Sequence, residues 1–221
     1  MKFVFFSWLI ALALAGCGGQ AKPAPRHLQC YVRFDAVQRQ VQADATLHQG
    51  TDPQAPPVEM PGGMLYQGSD MHIIPLQGLT YRRIYAADFV PEHTFGWTDE
   101  KGLRQKVNFP MAAISRFTFG DKPLSRTQPA KLRWEGGALE KGEALTLIWE
   151  NKALRQTVPM ELITSGGDPF IEFPAAKIAE LAPGQWTVYL VRKRLAKAKV
   201  NDLATEAVLE YYSKSDTIEV R

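Results

Sequence analysis

Cysteine and histidine are scarce in this chain: two cysteines and four histidines in 221 residues. With only Cys17 and Cys30, no disulfide framework is available, so the fold has to rest on packed apolar surface. The histidines His27, His48, His72 and His93 never take the i, i+4 spacing of a helical zinc site, and no cysteine pair accompanies them. Charge of one sign is lacking too. A net charge of +3 is too small to mark a nucleic-acid surface. Long apolar runs are missing with one exception, Phe3 to Ala15, and that run is shorter than the roughly 20 residues of a spanning helix. Helical periodicity is nearly absent, so no glycine-rich phosphate loop leads into a helix.

The N-terminal run has the length of a secretory h-region behind Met1 and Lys2. It ends in Leu14-Ala15-Gly16-Cys17, with small residues leading directly into a cysteine. This arrangement resembles the lipobox of bacterial lipoprotein precursors. The resemblance implies that residues 1–16 are a signal peptide and that Cys17 carries diacylglycerol and becomes the acylated N-terminus. It implies a lipid-bilayer anchor, a cell-envelope address and no cofactor beyond the covalent lipid. Gly18 stands where an aspartate would resemble an inner-membrane retention signal, so the outer membrane is expected if the source is Gram-negative. Residues 17–27, with Pro23 and Pro25 among small residues, read as a flexible-to-extended tether.

From Leu28 onward the dominant signal is period two. Val32 and Phe34 alternate with Tyr31, Arg33 and Asp35; Val41, Ala43, Ala45 and Leu47 alternate with polar residues. Such alternation marks strands with one wet face. Residues 35–39 read as a hairpin connection, and the proline-rich 49–57 as a loop. Further strands are expected near 71–76, 79–89, 94–97, 103–109 and 114–119, then near 132–134, 144–149, 154–160 and 185–194. The last two, 204–212 and 217–220, read as a closing hairpin. One short helix is expected at 175–181. The pattern loses its period around residues 120–129, which places a boundary there. The expected fold is all-β: two Ig-like β-sandwich domains, 28–126 and 127–221, behind a lipidated tether.

Candidate chemistry is thin. Gly68-Ser69-Asp70 with His72 holds the residue types of a serine hydrolase, but neighbours along a strand do not converge as a triad does. Asp88 and Glu92, and Asp99 and Glu100, read as solvated loop acids. Cys30 lies in an alternating segment and reads as a buried, inert thiol. Arg192-Lys193-Arg194, with Lys197 and Lys199 following, is the densest basic run and the candidate contact for an anionic group. Of the mature tryptophans Trp97, Trp134, Trp149 and Trp186, Trp97 lies beside a hairpin turn and is the candidate for ligand contact. No catalytic or metal-binding set emerges. The expected function is a non-enzymatic binding, adaptor or assembly module with a protein or glycan partner in the envelope. An envelope hydrolase and a sugar-binding module are the alternatives.

Overall fold

A computed structural model describes residues 25–50, 54–74, 78–162 and 168–221. Cys17, the leader and most of the tether lie outside them. Among the described residues the regular structure is strand apart from one helical turn. In chain order these are β1 (Arg26–Asp35), β2 (Gln40–Gln49), β3 (Pro57–Val58), β4 (Met64–Tyr66), β5 (Ser69–Asp70), β6 (His72–Ile74), β7 (Thr80–Ala86), β8 (Glu92–Thr98), β9 (Arg104–Pro110) and β10 (Arg116–Phe119). There follow β11 (Ala130–Glu135), β12 (Glu143–Asn151), β13 (Gln156–Leu162), β14 (Phe170–Phe173), α1 (Ala175–Ile178), β15 (Gly184–Val200), β16 (Leu203–Tyr212) and β17 (Asp216–Val220). The all-β expectation stands, and the helix is a single turn.

Ten strands form one sheet with the path β13-β12-β15-β16-β1-β2-β7-β6, with β17 added to β15 and β3 to β2. Two smaller sheets, β5-β4-β8-β9 and β10-β11-β14, cover it. The alternation read from the sequence explains which side each strand buries. In β1, Leu28, Cys30, Val32 and Phe34 are buried, and in β2 so are Val41, Ala43, Ala45 and Leu47. Each fully buried Leu or Val side chain contributes about 1.5–3 kcal/mol of transfer free energy. Two aromatic clusters line the resulting core. Phe34, Phe89 and Tyr211 pack with ring centroids 5.2–5.4 Å apart. Phe119 and Phe173 lie 5.6 and 6.2 Å from Trp149. The four-stranded sheet meets the first cluster through His93, whose ring lies against Phe89 on one side and Tyr66 on the other, and the three-stranded sheet supplies Phe119 and Phe173 to the second.

The sheets cross the boundary expected at 126/127. Strand β10, before it, joins β11 and β14, which lie beyond it. Strand β1 pairs in parallel with β16, from the far end of the chain. Residues 120–129 are also held rather than loose: Leu124 is fully buried, its N–H donates to the Glu219 carbonyl, and the Arg221 N–H donates back to Leu124. The expected closing hairpin is replaced by a different pairing. Both β16 and β17 pair with β15, over Val191–Val200 and Gly184–Val188 respectively. That is possible because β15 runs six residues past the expected end at Arg194, to Val200.

Cys30 is 4% exposed, and burial pushes its thiol pKa well above the ordinary range. A neutral, small, apolar-facing side chain here only packs. Cys30→Ala should therefore lower stability by about 1 kcal/mol, read as a shifted urea midpoint, and should leave partner binding unchanged.

Candidate binding face

The ten-stranded sheet has a second face, turned away from the core. Period two puts the polar and aromatic members of β1, β2, β15 and β16 there, and register lines them up in rows. One row runs Lys193, Glu210, Arg33, Gln42; the next runs Leu195, Val208, Tyr31, Asp44; a third runs Val191, Tyr212, Asp35, Gln40. Strand β7 extends the first row with Ile84, which is 49% exposed.

Glu210 is the hub. Its Oε2 accepts a hydrogen bond from the Tyr31 hydroxyl at 2.9 Å and from the Tyr212 hydroxyl at 3.1 Å. The Arg33 guanidinium lies 4.0 Å from the Tyr212 ring centroid and 3.4 Å from Asp35. Tyr189 stands 6.2 Å from Tyr212 and donates to Glu150 at 3.4 Å. Beyond Tyr31, Arg82 holds Asp44 through two bonds of 2.6 and 2.8 Å. Burial, reinforced by Glu210, raises the pKa of Tyr31 and lifts that of Tyr212 to about 12. Both phenols therefore remain protonated donors near neutral pH. Neither is activated as a base or nucleophile.

This arrangement suits recognition. Tyrosine and arginine supply large contact area with a polar tip, and they dominate the centres of protein-binding surfaces. Here Glu210 already fixes Tyr31 and Tyr212, and Asp35 and the Tyr212 ring hold Arg33, so little further ordering is required on binding.

The residues singled out in the sequence fare differently. Trp97 is 5% exposed: in β8 it shares the inward positions with His93 and Phe95, while Thr94, Gly96 and Thr98 point out. Its ring belongs to the core, and the alternation His-Thr-Phe-Gly-Trp already carried that signal. Arg192 is also inward. It is 3% exposed, pairs with Glu143, and donates to the carbonyls of Gly136 and Ala138 at 2.8 Å each. It is a structural clamp and offers no guanidinium to a ligand. Arg194 bonds Glu140 at 3.0 Å. Lys193 alone of the three faces outward in the hub row, across from Glu210.

The histidines do not gather. His48 is held by the Ala55 carbonyl at 2.7 Å and Gln29 at 3.2 Å. His27, opposite His48 in the register, lies 3.8 Å from Glu206. His93 is fully buried against Tyr66, and His72 is exposed. Ser69 and His72 fall in different sheets. Among the described residues no group of three or more His, Cys, Asp or Glu side chains could hold a metal ion. An open cleft of about 590 Å³ lies on the three-stranded sheet, lined in part by Arg116, Arg133, Glu135 and Phe170. Arg133 stands 5.6 Å over the Phe170 ring there.

In the sequence Tyr31 and Arg33 stood out only as polar-face members of one strand, and Tyr189 and Tyr212 only as members of the stretches 185–194 and 204–212. Their proximity depends on β15, β16 and β1 lying side by side.

No protein-family model matches the chain, and no curated protein matches it by sequence. Among solved structures, murine CEACAM1b is similar at 11% identity, covering 89% of this chain and 100% of that one, with a TM-score of 0.28. Dimeric latent PorU from Porphyromonas gingivalis is similar at 10% identity over 93% of this chain and 21% of that one, with a TM-score of 0.29. Fibronectin(III)-like modules of CbhA from Clostridium thermocellum give 9% identity, 82% and 88% coverage, and a TM-score of 0.22. Similarity at this level carries no argument about function.

Proposed function

We propose that this protein is a lipid-anchored envelope module that binds another protein through the outer face of β15, β16, β1 and β2. The observation that carries the reading is the Glu210 hub, which fixes Tyr31 and Tyr212 beside Arg33 on an open sheet face. The Leu14-Ala15-Gly16-Cys17 motif supports the anchor and an envelope address, with the outer membrane favoured for a Gram-negative source. The body is read as two Ig-like sandwich lobes sharing one sheet, and the module as non-enzymatic.

Two substitutions separate anchor from face. Cys17→Ala should abolish incorporation of an alkyne fatty acid; labelling that survives it contradicts the anchor. Arg33→Glu removes the guanidinium from Tyr212 and places a carboxylate beside Glu210. It should weaken partner capture from crosslinked envelopes by about tenfold or more, compared at equal amounts of folded protein because the new carboxylate also sits against Glu210 and Asp35. Capture that is unchanged by Arg33→Glu contradicts the face.

A further inference from the structure

Strand β15 is flanked on both sides between Thr187 and Arg194, and beyond Arg194 it keeps a paired strand only on the β16 side. Its partner β12 pairs with it only as far as Glu143 opposite Arg194. Gly142 then turns the chain away with φ of +85°, after its carbonyl takes the Leu195 N–H at 2.9 Å. That last bond fixes the parity of the remaining residues of β15. In an antiparallel ladder, successive residues direct their backbone groups to alternate sides. Leu195 faces the β12 side, so Lys197 and Lys199 do too, while Ala196, Ala198 and Val200 bond β16. Among the described residues the Lys197 and Lys199 backbone groups have no backbone partner on the open side.

The side chains on this edge are equally ordered. Ala196, Ala198 and Val200 pack against the core. Lys197 and Lys199 point to the outer face; Lys197 meets Glu206 at 2.5 Å, and Lys199 has no ion pair among the described residues. Lysines on a sheet edge oppose pairing with an identical edge, because like charges would sit across from one another. That argues against a second copy of this chain. It favours a strand of opposite charge.

We infer that the Leu195–Val200 edge of β15 accepts an extended acidic segment of a partner protein as an added strand, with acidic residues opposite Lys197 and Lys199 and small apolar residues toward the core. Main-chain bonds supply the affinity in such strand addition, and alternate side chains supply the specificity. This edge goes beyond the face described above: it needs neither Tyr31 nor Arg33.

The probe is a fluorescein-labelled hexapeptide of sequence Glu-Val-Glu-Ala-Glu-Val, titrated with the full-length chain in detergent micelles and read by anisotropy. Saturable binding that falls with added salt is expected. A peptide of the same composition in block order, three glutamates first, should bind about tenfold more weakly. Lys197→Pro and Lys199→Pro each delete an edge-facing N–H and leave the β16 ladder intact, so each should weaken binding about tenfold. The double variant Lys197→Glu, Lys199→Glu should instead bind the corresponding Lys-Val-Lys-Ala-Lys-Val peptide, a gain that misfolding cannot produce. Absence of saturable binding, equal binding of the block peptide, full binding by the proline variants, or no gain in the double variant overturns the inference.

Discussion

Arg192→Met is expected to destabilise the protein by about 3–5 kcal/mol, the cost of leaving one member of a buried ion pair alone. Arg192 and Glu143 are 3% and 1% exposed at their side chains. Removing the guanidinium leaves the buried Glu143 carboxylate with the Glu140 N–H at 2.7 Å and with Arg194 only at 3.7 Å. It also frees the carbonyls of Gly136 and Ala138, which Arg192 holds from across the chain. The segment it ties down has no slack of its own: a Cβ at Gly136 would lie 1.9 Å from the Ala113 carbonyl oxygen, and φ there is +129°. Against a typical total of about 5–15 kcal/mol, such a loss should move the urea midpoint by a large fraction of its value. The double variant Arg192→Met, Glu143→Met should recover part of it, because no charge is then left buried. A midpoint shift below about 1 kcal/mol equivalent for Arg192→Met would show that the clamp is dispensable.

A second large effect concerns acid. His93 is fully buried among Tyr66, Phe89 and neighbouring rings, and burial lowers its pKa from 6.5 to about 4. Its Nδ1 pairs with the Tyr66 hydroxyl, while Nε2 finds no partner among the described residues. An unfolded chain takes up this proton near pH 6.5 and the folded one only near pH 4. Stability tied to the neutral ring is therefore complete above pH 6.5 and is lost as the pH falls through about 4. The difference amounts to about 3 kcal/mol. Carboxylates titrate in part of the same range, so the comparison must be between variants. Urea midpoints between about pH 7.5 and 4 should fall more steeply for the wild type than for His93→Phe, Tyr66→Phe, which removes the base and its hydroxyl partner together. Parallel profiles would assign the acid sensitivity elsewhere.

How far the sequence could be read depended on the range of the contacts involved. Period two is local, so it located β1, β2, β8 and β12 and even the inward Cys30, Val32 and Phe34. Register between distant strands is not local. Nothing near Tyr31 indicates that Glu210 lies beside it, and nothing near β16 indicates a parallel pairing with β1. The basic run illustrates the same limit. Arg192, Lys193 and Arg194 look alike in sequence, yet alternation turns Arg192 toward Glu143 and Lys193 away from it. The loop at residues 120–129 lacked periodicity, but the C-terminal strand pins it through Leu124. Trp97 could have been placed correctly, since His93, Phe95 and Trp97 alternate with small residues across its own strand.

The most direct test of the binding face is photo-crosslinking in intact cells. A photoreactive phenylalanine analogue is placed at Ile84, exposed in the same row as Gln42 and Arg33, and separately at Asn108, exposed on β9 of the opposing sheet. The face predicts a discrete adduct from position 84 that disappears with Arg33→Glu, and none of that mass from position 108. An adduct formed only from position 108, or one from position 84 that persists undiminished with Arg33→Glu, would contradict it.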